Sequence, residues 1–198
     1  MKADVAFSNP SVFQAILARH SVRTYAPRPV PEATIRTLLE AAVRAPTAMH
    51  MEPWAFVVVQ DPVWLQHASD VAKPLFLDRL RQAGAGPAGV SKTFSDNAFN
   101  VFHHAGTLIV ICAKTGLAFS EADCWLAAEN LMLAACSLGL GTCVVGSAQM
   151  ALNTAAVKAE LGIPEDFTAH APIVVGYPSG ETPATSRKEP RVLAWKRA

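Results

Sequence analysis

Charge is what this 198-residue chain is short of: 17% of its residues are Asp, Glu, Lys or Arg, against about 25% in an average soluble domain. The shortfall falls on both signs, with 17 basic and 16 acidic residues and a formal net charge of +1. No one-signed field is left to hold a nucleic-acid backbone or an anionic membrane surface. Cysteine is sparse, and its spacing excludes more than its number. Cys112, Cys124, Cys136 and Cys143 stand in apolar surroundings without a C-x-x-C pair, so no metal cage is expected, and buried free thiols in a reducing cytoplasm are. An uninterrupted apolar run is missing too. The longest charge-free stretch, Asn130 to Val157, is broken by Gly139, Gly141, Gly146 and several amides and hydroxyls, whereas a membrane span needs about 20 continuous apolar residues. Asp4, Asn9 and Pro10 precede any long apolar stretch, which does not read as a secretory leader. The His103-His104 pair has no Asp, Glu or Cys at ligand spacing, and no metal site is expected there.

What is present in excess is apolar: 51% of residues are hydrophobic. With so little charge to cover a surface, part of the exterior is expected to lie against a second subunit. The length suits one domain, 1–198, with 180–198 as a C-terminal extension that has no core of its own.

Helical and extended patterns alternate along the chain. Ser8 or Asn9 can cap a short helix through Val12, Phe13, Ile16 and Leu17, and Pro31 opens a second through Ile35, Leu38, Leu39, Ala42 and Val43. A strand at Ala55–Val59 precedes a helical region from Pro62 to Ala83. Ala83 to Ser95, rich in Gly and small residues, reads as a mobile loop. A buried strand at Thr107–Cys112, a long helix from Glu121 to Leu138 that is apolar on most faces, and a strand from Gly141 to Gly146 follow. A helix over Thr154–Leu161 and a strand over Thr168–Tyr177 close the core. The pattern is that of an α+β domain in which a sheet packs among helices.

Four motifs bear on chemistry, and one imitates it. Gly84-Ala85-Gly86-Pro87-Ala88-Gly89 spells G-x-G-x-x-G, but a dinucleotide site needs a strand before it, and the segment before Gly84 looks helical. Arg19-His20-Ser21-Val22-Arg23 sets two guanidiniums and a hydroxyl within five residues. Those groups suit a phosphate, although a basic stretch after a helix also serves as a solvated C-terminal cap. Pro46-Thr47-Ala48-Met49-His50-Met51-Glu52-Pro53-Trp54 is a small-residue turn entering a strand, where backbone can approach a flat ring. Gly139-Leu140-Gly141-Thr142-Cys143-Val144-Val145-Gly146 suits a buried strand, and Arg187-Lys188 a solvated tail.

Taken in order, these segments resemble the nitroreductase family over nearly the whole chain. Pro46, Thr47, Pro53 and Trp54 fit the family's Pro-Ser turn and its Gln-Pro-Trp, while His50 stands where Asn is usual and Glu52 where Gln is usual. The resemblance implies a nitroreductase-like α+β fold: a central, mostly antiparallel sheet, and a homodimer built around a long interface helix. It also implies an FMN-dependent NAD(P)H oxidoreductase with non-covalent FMN at the subunit interface, using a ping-pong hydride mechanism. The acceptor would be a small electron-poor molecule: a quinone, a nitroaromatic or an activated alkene. By the same resemblance, Arg19 and Ser21 meet phosphate or ribityl oxygens, and His20 between them is a further cofactor-binding residue. Arg23 lies near the pyrimidine edge of the flavin, where a cation stabilises the negative charge of the reduced ring. Pro46, Thr47, Ala48 and His50 reach the partner's flavin. Val145, Gly146 and Ser147 face the N5 edge, and Arg187 and Lys188 return to the phosphate. No side chain is assigned as an acid-base catalyst. Relatives that consume flavin, dehalogenate or oxidise azolines share this fold, and a non-catalytic FMN-binding protein is a further alternative.

Overall fold

The computed structural model describes residues 11–84, 89–180 and 186–197. Ser11 starts α1 (Val12–Ala18) with a reciprocal capping box, its side chain accepting from the Gln14 amide while the Gln14 side chain accepts from the Ser11 amide. The cap expected at Ser8 or Asn9 lies outside the described residues. Then follow α2 (Glu32–Ala42), a 3-10 turn (Ala48–His50), β1 (Trp54–Val59), α3 (Pro62–Gln82) and α4 (Val90–Ser95). The second half runs β2 (Thr107–Lys114), α5 (Ser120–Ser137), β3 (Gly141–Val144), a 3-10 turn (Gly146–Ala148), α6 (Gln149–Leu152), α7 (Ala155–Leu161) and β4 (Phe167–Gly176).

The four strands form one antiparallel sheet in the order β1-β2-β4-β3. The two central strands read as continuous apolar runs because helices cover both faces. Leu108, Val110 and Cys112 pack with α3, α6 and the 99–105 turns, while Ile109, Ile111 and Ala113 pack with α2 and α5. The register slips between Ile111 and Cys112, which face Ala171 and Ala169 respectively. His170 is therefore the extra residue of a bulge, and for that reason Ala169 and Ala171 serve opposite faces.

The loop expected over Ala83–Ser95 is in part a helix. Phe94 of α4 stacks between Phe76 of α3 and Phe99, with ring centroids at 4.5 and 5.0 Å. That aromatic cluster holds a turn of helix that local propensity does not specify. The long helix α5 packs against α2, the sheet and α1, and it leaves Trp125 and Leu126 partly exposed. No helix among the described residues is long and apolar enough to cross a membrane.

Candidate functional site

Beyond α1 the chain runs along the free side of β3. Arg19 caps the helix, its amide donating to the Ala15 carbonyl at 2.9 Å, and the backbone then becomes extended. Ser21 bridges Thr142 in parallel, and the Val22 amide donates to the Thr142 carbonyl at 2.9 Å. Farther on, the Ala26 amide donates to the Tyr177 carbonyl and the Ser179 amide to that of Thr24. The buried Tyr25 hydroxyl donates to the Val22 carbonyl at 2.6 Å. Two glycines permit this approach. A Cβ on Gly141 would stand 2.7 Å from Val22 Cγ2, and one on Gly176 would stand 2.8 Å from the Tyr25 ring.

This packing sets the basic cluster at the end of β3. Arg19, His20 and Arg187 line one cavity of about 300 Å³ together with Glu129. A second, of about 200 Å³, lies between Arg19, His20 and the Gly139–Thr142 segment. Arg19 donates through Nε to Glu129 Oε1 at 3.0 Å, which orients the guanidinium and uses one of its donors. The tail thus returns to the Arg19 cluster through Arg187; Lys188 beside it is exposed.

Arg23 is exposed and borders a separate cavity of about 450 Å³ that Tyr25, Phe99, His103 and His104 also line. His103 and His104 both adopt left-handed backbone, with φ of 54° and 52°, and the His103 ring stands edge-on to Phe99. Burial, followed by the Arg23 charge and then His104, lowers the His103 pKa to about 4, so its imidazole is neutral at pH 7. The sequence pattern says of this pair only that no metal site is expected there. The fold instead sets both residues beside a cation, in a turn that no local pattern signals.

The 46–52 turn lies apart from these cavities. The Glu52 amide donates to Thr47 Oγ1 at 3.4 Å and the Ala48 amide to Asp123 Oδ1 at 3.1 Å. Met49, His50 and Glu52 have φ of 53°, 53° and 44°, a region costly for residues with a Cβ. Pro46 and His50 are exposed, Thr47 and Ala48 half-buried. At the far end of β3, Val145 is buried and its amide donates to the Pro172 carbonyl at 2.9 Å. Gly146 is exposed with open space where a Cβ would be, and Ser147 is half-buried beside it. Within one chain, then, Arg19, His20 and Arg187 share a cavity, Ser21 pairs with Thr142 of the second cavity that Arg19 and His20 also line, and Arg23, Val145–Ser147 and the Pro46–His50 turn stand elsewhere.

The family model for the nitroreductase family matches residues 16–177, which takes in the basic segment, the turn and all four strands. The chain belongs to the nitroreductase family. Its relatives include a Methanothermobacter thermautotrophicus protein provisionally named NADH dehydrogenase/NAD(P)H nitroreductase, 30% identical over 92% of this chain and 84% of its own length. The NADH dehydrogenase of Thermus thermophilus is 28% identical over 92% of this chain and 94% of its own. Among solved structures, a Bacteroides fragilis nitroreductase with bound FMN superposes with a TM-score of 0.80 at 26% identity, covering 94% of this chain and all of that one. The nitroreductase fold anticipated from the segment order is the one observed.

Proposed function

We propose that this nitroreductase-family protein is an FMN-dependent NAD(P)H oxidoreductase that passes hydride to an electron-poor acceptor in a ping-pong cycle. The observation that carries the reading is the convergence of Arg19, His20 and Arg187 on one cavity, from segments far apart in sequence. The donor set fits the group: guanidiniums match a phosphate bidentately, Ser21 follows Arg19 and His20 in the same extended segment, and the open face at Gly146 admits a flat ring. Bound FMN would accept hydride from NAD(P)H and give it to a quinone, nitroaromatic or activated alkene.

The chain's own residues bind and tune. Arg19, His20, Ser21 and Arg187, with Lys188 beside them, would hold the phosphate and ribityl oxygens. Arg23 would put positive charge at the pyrimidine edge, favouring the reduced anion, and the neutral His103 would add no competing cation there. The Val145–Ser147 backbone would offer the hydride edge a polar, uncharged rim. Pro46, Thr47, Ala48 and His50 would complete the site of a second copy in a homodimer. This assembly is supported by exposed apolar side chains on α1 and α5, among them Phe13, Leu17 and Leu126.

The deciding experiment is an anaerobic visible spectrum of the FMN-loaded protein before and after NADPH or NADH. Bleaching of the flavin band is expected. A bound flavin that neither nucleotide reduces refutes the oxidoreductase reading, and failure to bind FMN refutes the cofactor.

A further inference from the structure

Asp123 lies in the first turns of α5, 4% exposed. Its Oδ1 accepts from the Ala48 amide at 3.1 Å, across 75 residues of sequence. Its Oδ2 is buried and has no hydrogen-bond partner, alone in this among the buried side-chain nitrogens and oxygens of the described residues. Buried polar atoms are nearly always paired, and an orphan costs stability. The positive end of α5 offsets part of that cost, but a leucine of similar shape would avoid it altogether.

What the carboxyl holds is a turn that would not hold itself. Three residues of the 46–52 segment, Met49, His50 and Glu52, sit at positive φ without being glycine. Of the segment's own hydrogen bonds, two are long, at 3.4 Å for His50 to the Thr47 carbonyl and 3.4 Å for Glu52 to Thr47 Oγ1, while Met51 donates to the Ala48 carbonyl at 3.1 Å. Strained backbone persists only where its surroundings over-determine it. The surroundings here are Asp123 and the start of β1 at Trp54.

We infer that Asp123 is a positioning residue: through the Ala48 amide it locks the strained 46–52 turn in the shape that presents Thr47, Ala48 and His50 to the flavin. The flavin half of this rests on the proposed function; the hold on the turn does not. The function explains why a buried, half-satisfied carboxyl is kept where an apolar side chain would pack more stably.

The test compares wild type, D123N and D123L by hydrogen exchange over 46–54 without cofactor, by FMN affinity from flavin fluorescence, and by Tm. D123N retains an acceptor for Ala48 and should stay within about threefold of wild type in exchange and Kd. D123L should exchange at least tenfold faster over the turn and bind FMN about tenfold more weakly, with Tm unchanged or raised. Wild-type exchange in D123L, a D123N that behaves like D123L, or a D123L whose Tm falls or which fails to fold would each overturn the inference. Should wild type bind no FMN, the cofactor reading falls, and exchange over the turn still decides whether Asp123 holds it.

Discussion

At the scale of single residues, the proposed phosphate site turns on Arg19. Arg19 spends Nε on Glu129, a half-exposed pair worth no more than about 1 kcal/mol to the fold. A phosphate would gain from the same guanidinium about 1.5–3 kcal/mol. Arg19→Ala should therefore weaken FMN retention by about 10- to 100-fold while moving stability little, as read by flavin content after gel filtration and by Tm. Unchanged flavin content would remove Arg19 from the phosphate site. His103 makes a pH prediction. Its folded pKa of about 4 lies below the 6.5 of the exposed imidazole, so between those values the unfolded chain binds the extra proton, and stability falls as pH falls from about 6.5 towards 4. Allowing for the ring's partial exposure, the loss is on the order of 1–2 kcal/mol. His103→Asn tolerates the left-handed backbone and does not titrate, so urea unfolding at pH 7 and pH 5 should show a smaller difference in the variant than in wild type. An equal acid loss in the variant would assign it to other groups, such as His170, whose pKa burial also lowers.

At the scale of elements, the contact of the 21–26 segment with β3 positions Arg19 and Arg23. Val22 is 3% exposed and cannot swing aside, so a Cβ on Gly141 at 2.7 Å from it must push the segment off the strand. Gly141→Ala should cost about 1–3 kcal/mol in urea unfolding and loosen FMN through the displaced Arg19 and Ser21. Full stability would mean that the segment yields without cost. The same contact shows what was legible in the sequence. The strands and long helices follow from apolar period and punctuation, so Ala55–Val59 and Glu121–Leu138 were readable to within a residue of β1 and α5. The Arg19 cluster and its meeting with Arg187 were readable only as family pattern, because nothing local says that a tail will return to a helix end. Asp123, the His103-His104 turn and the Phe76–Phe94–Phe99 cluster were not readable. Each owes its role to a partner from another segment, and a lone Asp on an apolar helix looks like any N-terminal acid.

At the scale of the whole molecule, the proposed homodimer accounts for both the low charge and the exposed apolar side chains. Phe13 and Leu17 of α1 are 78% and 84% exposed, and Leu126 of the neighbouring α5 is 47% exposed. Scattered apolar residues are ordinary on a surface, but several on two helices that pack together support the proposed interface. If a second copy covers it, a charge placed there is buried without a partner in the dimer and solvated in the monomer, so it acts on assembly far more than on folding. Leu126→Arg is expected to shift the solution mass from twice the 21.1 kDa chain towards the monomer, with far-ultraviolet circular dichroism unchanged. Flavin should be lost along with the partner, because the 46–52 turn lines neither of the two cavities at its own chain's Arg19 and would serve the site across the interface. Light scattering and flavin absorbance on the same column fractions give both readings at once. A monomer that keeps its flavin would place the whole binding site within one chain and leave the turn without its assigned role. A dimer unaffected by Leu126→Arg would move the interface to another face of the molecule.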